Sequence, residues 1–321
     1  MLAFDLKNGK SEWEVPEKAS TPETTFRGFQ ALHGYASSTP ASDGKLLYVF
    51  LGKSGVGAFA LDGKPKWSES VGTGTDGWGS GTSPVLHKNL VIVNASVESG
   101  AIVALNKDTG KLVWSTKGVR RAWNSPVLVT PASGKTEVVI SSQAEILAYD
   151  ADSGERAWRC PGVKDYVCPT VVVHDDIVYA IGARAGMGVA VKAGGKGDVS
   201  PLWELKKGSN VSSPVFHNGH LYWSHESRGV VYCANAATGE IVYEERLNPN
   251  PDRIYASAVL AGDKIYYVSR NRGVYVVAAD PKYKLLAHNG PLDNSVFNAS
   301  PAVVDGKLLL RSDEYLYCLG K

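Results

Sequence analysis

The 321-residue chain has only two methionines, four cysteines, a net charge of +2 and no long apolar run. Each scarcity closes a class. A charge this close to zero argues against a general nucleic-acid-binding role, which calls for a basic face. Without about 18 consecutive apolar residues, no helical membrane span is expected. The cysteines, Cys160, Cys168, Cys233 and Cys318, are never adjacent, and no amphipathic helix of useful length can be read. The N-terminus lacks the basic, apolar, small-residue order of a signal sequence. Either the protein is cytoplasmic or this chain begins downstream of the native start.

What is abundant points to strands. The chain has 34 Gly, 15 Tyr and 8 Trp, a mixture that favours strands and turns over helices. One local pattern recurs: "LNKDTGKLVW" at Leu105, "FDLKNGKSEW" at Phe4, "ALDGKPKW" at Ala60, "YDADSGERAW" at Tyr149 and "ANAATGEIVY" at Ala234. Asp, Asn and Gly tolerate the backbone angles of a tight hairpin turn. A second marker is a small-residue pair, mostly ending in Pro, at Pro40, Pro84, Pro126, Pro169, Pro214, Ala258 and Pro301. Its spacings are 44, 42, 43, 45, 44 and 43 residues. Between markers come four short apolar runs separated by turns. Units of 40–45 residues with four strands are the pattern of propeller blades, as in WD40-like repeats.

The reading is an all-β protein, one propeller over residues 1–321 with seven four-stranded blades. The last unit stops after its third strand, and "GKSEWEV" supplies a fourth strand without a blade. Residues 11–15 are therefore expected to complete the blade of residues 299–321, which removes exposed edges. "MLAFDL" also reads as a third strand, so a longer native chain could hold eight blades. Trp13, Trp67, Trp114, Trp158, Trp203, Tyr243 and Leu286 occupy one slot per unit and are expected to pack between blades.

The strings "ALNKDTGKLVW", "AYDADSGERAW" and "GVVYCANAATGEIVY" resemble the repeat of propellers named after pyrroloquinoline quinone (PQQ). The resemblance covers nearly all of the chain and is shared by quinoprotein alcohol dehydrogenases and by BamB-like lipoproteins of the outer-membrane β-barrel assembly machinery. "SGTSPVLHKNLVIVNASVESGAIVAL" and "HGYASSTPASDGKLLYVF" look more like BamB-like bacterial proteins. The resemblance implies a periplasmic or otherwise extracytoplasmic place. For a quinone enzyme it also implies adjacent bonded cysteines, a metal held by acidic and amide ligands, and an Asp base. No such set stands out here, so no cofactor and no metal are expected, with PQQ kept as an alternative.

In an up-and-down blade, the loop entering the first strand and the loop between strands two and three share one face. Counting back three residues from the small-Pro marker gives Trp123, Tyr166 and Tyr255. Tyr35, Trp78, Asn210 and Asn298 lie in neighbouring loop positions, with Arg121 and Arg253 two residues before Trp123 and Tyr255. Trp, Tyr and Arg dominate binding hot spots. These nine residues are the candidate funnel of a non-catalytic scaffold that binds a protein, peptide or glycan, read as a monomer. The alternative is a quinone- or metal-dependent oxidoreductase. His87, His174 and His217 fall in a recurrent turn position and are expected to face solvent.

Overall fold

The computed structural model describes residues 1–16, 37–184 and 186–320. The protein is a seven-bladed, all-β propeller. The one helical turn among the described residues is the 3-10 segment Gly52–Ser54. Six sheets start at residues 41, 85, 127, 172, 215 and 259, each with four antiparallel strands in chain order. The third sheet gains a short parallel strand, Gly197–Asp198, on its outer edge. The seventh sheet has three strands, Ala302–Val304, Lys307–Arg311 and Leu316–Leu319.

The recurring turn joins strands three and four and also glues one blade to the next. In "NKDTG" the Asn106 side-chain carbonyl accepts the N–H groups of Asp108 and Thr109, both at 3.0 Å. Gly110 then closes the turn at φ 74°, a left-handed angle that a side chain resists. Its missing Cβ has a second use. A Cβ on Gly110 would come 2.7 Å from the Trp67 ring, and one on Gly154 would come 2.5 Å from Trp114. Each tryptophan thus lies flat on the turn of the following blade. The indole N–H donates to a carbonyl there: Trp67 to Lys107 at 2.9 Å, Trp114 to Ala151 at 3.3 Å and Trp203 to Ala236 at 2.9 Å. Opposite each tryptophan on its own third strand stands an alanine: Ala58, Ala104, Ala148 and Ala190. Trp158 departs from the pattern, because the following blade replaces the turn with "KAGGKG". Its N–H donates to the Glu137 carboxylate at 2.7 Å instead. Trp114 and Trp158 are buried, as expected. In the sixth sheet the slot is Ala287, opposite Val276, and not the expected Leu286, which is exposed.

The ends pair differently from the expectation. Ser11–Glu14 pairs with Leu2–Phe4, through Leu2↔Glu14 and Ala3↔Trp13, and the seventh sheet keeps three strands. The reason is loop-closure entropy: a hairpin across a short turn costs far less than a partner at the other end of the chain. The surplus third-strand sequence "MLAF" captures the fourth. Trp13 still fills its slot on the next blade, donating to Leu61 O at 2.9 Å and lying 3.0 Å from where a Cβ on Gly63 would be.

All four cysteines are free, with Cys160 and Cys233 buried and Cys318 exposed. Of the three turn histidines, His87 is buried and its Nε2 lies 2.9 Å from the Asp152 carboxylate of the next blade. His174 is exposed but stacks on Phe216, with ring centroids 3.8 Å apart.

Candidate functional site

Each first strand begins with an alternation. Ser212, Pro214, Ala256 and Ala258 are buried within blades, while Val211, Ser213, Tyr255 and Ser257 are half-buried and face the central channel. This alternation is the period-two geometry of a strand. In six of the seven units the residue before the small-Pro marker is Ser or Thr (Thr39, Ser83, Ser125, Ser213, Ser257 and Ser300), and in the fourth Thr170, just after Pro169, takes that place. These residues form a belt. The backbone N–H of each of the first six donates to the hydroxyl of its counterpart in the next blade: Thr39 to Ser83 at 2.9 Å, Ser83 to Ser125 at 2.9 Å, and Ser125 to Thr170 at 3.2 Å. Thr170 to Ser213 at 3.0 Å, Ser213 to Ser257 at 3.0 Å and Ser257 to Ser300 at 2.9 Å continue it.

The belt corrects one reading. In the fourth sheet Thr170 and Val171 hold the slots of Ser and Pro elsewhere, so "CPT" is displaced by two residues. Cys168, not Tyr166, is the counterpart of Trp123 and Tyr255. Burial holds the Cys168 thiol up at about 12.

Above the belt lies a cavity of about 370 Å³, lined by Trp78, Trp123, Cys168, Tyr255 and Asn298 and by belt hydroxyls. Trp78, Trp123 and Tyr166 do come together. Trp78 meets Tyr166 edge-on at 4.4 Å between centroids and Trp123 at 5.8 Å. Trp123 donates its indole N–H to Gly79 O at 2.8 Å. Tyr166, however, is only 1% exposed and supports the two tryptophans from beneath. Burial raises its phenol, while bonds from Asn210 and Arg184 partly offset that rise. The Arg184 guanidinium sits 4.8 Å over the Tyr166 ring and Arg121 sits 5.9 Å from it, so both arginines serve Tyr166. Asn210 is pinned at its backbone, its N–H donating to the Glu226 carboxylate at 3.1 Å.

Across the cavity, Arg253 donates to the Tyr255 hydroxyl at 3.0 Å. Arg270 lies 4.9 Å over the same ring and donates to Asn298 Oδ1 at 2.8 Å. Tyr35 falls outside the described residues. The hydroxyl belt escaped the sequence reading as a site, although its signal, a Ser or Thr in every unit, was plain.

The quinone chemistry that the resemblance implies finds no matching donor set. Among the described residues the cavity lining holds no carboxylate to act as base. Among the described residues no three His, Cys, Asp or Glu side chains gather closely enough to hold a metal ion. The cysteines are dispersed over the molecule.

Comparison with known proteins fits this geometry. A family described as outer membrane protein assembly factor BamB matches residues 2–245. A relative of that name from Salmonella typhimurium is 27% identical over 311 residues, spanning 78% of this chain and 76% of its own. Among solved structures, BamB from Moraxella catarrhalis superposes with a TM-score of 0.67 at 17% identity, over 88% of this chain and 81% of that one. Quinohemoprotein alcohol dehydrogenase from Comamonas testosteroni reaches 0.71 at 13% identity, over 96% of this chain and 67% of that one. The likeness to both solved structures is one of fold. The match over residues 2–245 places this chain in the family of outer membrane protein assembly factor BamB.

Proposed function

We propose that this chain is a non-catalytic scaffold that works outside the cytoplasm in outer-membrane protein assembly and binds its protein partner through the funnel face. The observation that carries the reading is the pairing of two features at one end of the ring. A cavity edged by Trp78, Trp123 and Tyr255 opens there, and the Arg270 guanidinium is held over its Tyr255 ring. Such side chains concentrate binding energy. Among the described residues its lining has no acid or metal-ligand set of the kind that catalysis by a quinone enzyme calls for. The opposite face consists of hydrated hairpin turns such as that at Thr238, which is exposed.

The test is retention of outer-membrane proteins from solubilised membranes on the immobilised chain. Tyr255→Ala should weaken retention by about 2 kcal/mol or more, the scale of a hot-spot residue, with the circular dichroism spectrum unchanged. Thr238→Lys should leave retention intact. Equal retention by wild type and Tyr255→Ala, or a cofactor absorbance change with dye reduction on adding PQQ and calcium, would count against the proposal.

A further inference from the structure

The belt of hydroxyls makes the cavity floor a donor surface. Each hydroxyl from Ser83 to Ser300 already accepts one backbone N–H through its oxygen. Among the described residues none of them donates its own proton to a protein group. A hydroxyl carries one donor and two acceptor sites. With the oxygen engaged by the preceding blade, the O–H is left to point at whatever occupies the cavity. Ser83, Thr170, Ser213, Ser257 and Ser300 all line that space. The belt lies one strand-pleat below Trp123 and Tyr255 and above a ring of apolar side chains, Val85, Val127, Val172, Val215 and Val259.

Among the described residues no Asp or Glu lines the cavity. Arg270, bonded to the lining residue Asn298 and laid over the lining residue Tyr255, brings a cation to its edge. The Asn298 carbonyl, the strongest acceptor in the lining, is taken by that arginine. Each belt hydroxyl keeps its O–H donor, and Arg270 adds a cation at the rim, so a charged acceptor gains more here than a neutral sugar hydroxyl. Hydrogen bonds to a charged acceptor are about twice as strong as neutral ones. A volume of about 370 Å³ lies at the low end of the roughly 300–1,000 Å³ of small-ligand pockets, too small for a folded element and enough for one terminal residue.

We propose that the cavity receives a carboxylate on an apolar stem, presented as the C-terminal residue of an extended peptide segment, with the carboxylate on the belt hydroxyls and the side chain against Trp123 and Tyr255. This rests on the funnel reading above and names its ligand chemistry. The probes are the peptide Gly-Ser-Gly-Ser-Val-Leu with a free C-terminus, the same peptide amidated, and 4-methylpentanoate, measured by calorimetry on the full chain. The free-acid peptide should bind, and amidation should weaken it about tenfold or more. If 4-methylpentanoate displaces the peptide at similar concentration, a free small acid is the source of the carboxylate; if it does not, the peptide terminus is. Ser257→Ala should weaken the free-acid peptide severalfold, and Ser257→Thr, which keeps both the accepted N–H bond and the free O–H, should restore it. Equal binding of acid and amide would overturn the carboxylate while leaving the funnel as a binding face. Absence of binding by all three probes would overturn the proposal, and retention by Tyr255→Ala would then judge the funnel separately.

Discussion

If the Gly–Trp contact is what joins neighbouring blades, Gly154 and Trp114 should be energetically coupled. Gly154 adopts φ 75°, and a Cβ there would stand 2.5 Å from the Trp114 ring. Two separate costs meet in Gly154→Ala. The left-handed backbone costs an alanine about 1–2 kcal/mol, and pushing a methyl group into a packed indole costs about 1–3 kcal/mol. Their sum is about 2–5 kcal/mol. Trp114→Ala removes an indole that is only 8% exposed, at about 3–5 kcal/mol. In the double variant the backbone strain remains but the clash vanishes. The double loss should therefore fall short of the sum by about 1–3 kcal/mol. Urea titration followed by circular dichroism on the four proteins measures it. Additivity within about 0.5 kcal/mol, the behaviour of independent sites, would refute the contact as the joint between blades.

Three further outcomes follow from the ionisable groups. The Glu137 and Glu98 carboxyls are raised above their ordinary 4.5 by burial; the folded state then binds more protons than the unfolded one, so stability should fall as pH rises from about 4.5 through the raised native values. Glu137→Gln, which still accepts the Trp158 N–H, should flatten that slope in thermal melts across pH 4 to 8, and an unchanged slope would contradict the assignment. A thiol-reactive dye at neutral pH should label Cys318 quickly and Cys160 and Cys233 only on unfolding, because burial pushes Cys160 to about 11 and Cys233 to about 12. Lys107→Met should destabilise at neutral pH and lose that effect in acid, since the Lys107 ammonium holds the Asp43 carboxyl far below its usual range across a blade joint, at 2.9 Å; an equal loss at all pH values would point to packing.

The sheets were legible because a propeller writes its plan at a fixed period: the hairpin turn needs Gly, and the blade joint needs Trp on it. Both are local demands on residue type, so sequence spacing reveals them. Register within a unit was less visible. Pro169 drew the marker two residues too early, because nothing in "CPTVV" distinguishes the proline of the loop from Val171 in the slot. Leu286 looked like the large residue of the joint, yet a bulge in the sheet gives that place to Ala287. Pairing of the ends could not be read either, since residues 11–15 suit any third strand and only chain proximity chose Leu2–Phe4. At the cavity, the aromatic and arginine residues read from the loops do gather, but their partition was not legible. Tyr166 is support and Tyr255 is lining, a difference of burial that composition does not encode. The belt was hidden in plain view, its Ser and Thr residues serving as mere punctuation before proline.

The central claim, that the funnel face is the working surface, is tested most directly by photo-crosslinking in cells. A benzoylphenylalanine in place of Tyr255 reports on the funnel, and one in place of Thr238 reports on the opposite turns. The account predicts discrete protein adducts from position 255, lost when Trp123→Ala is added, and none from position 238. Adducts from position 238 alone, or equally from both positions, would contradict it.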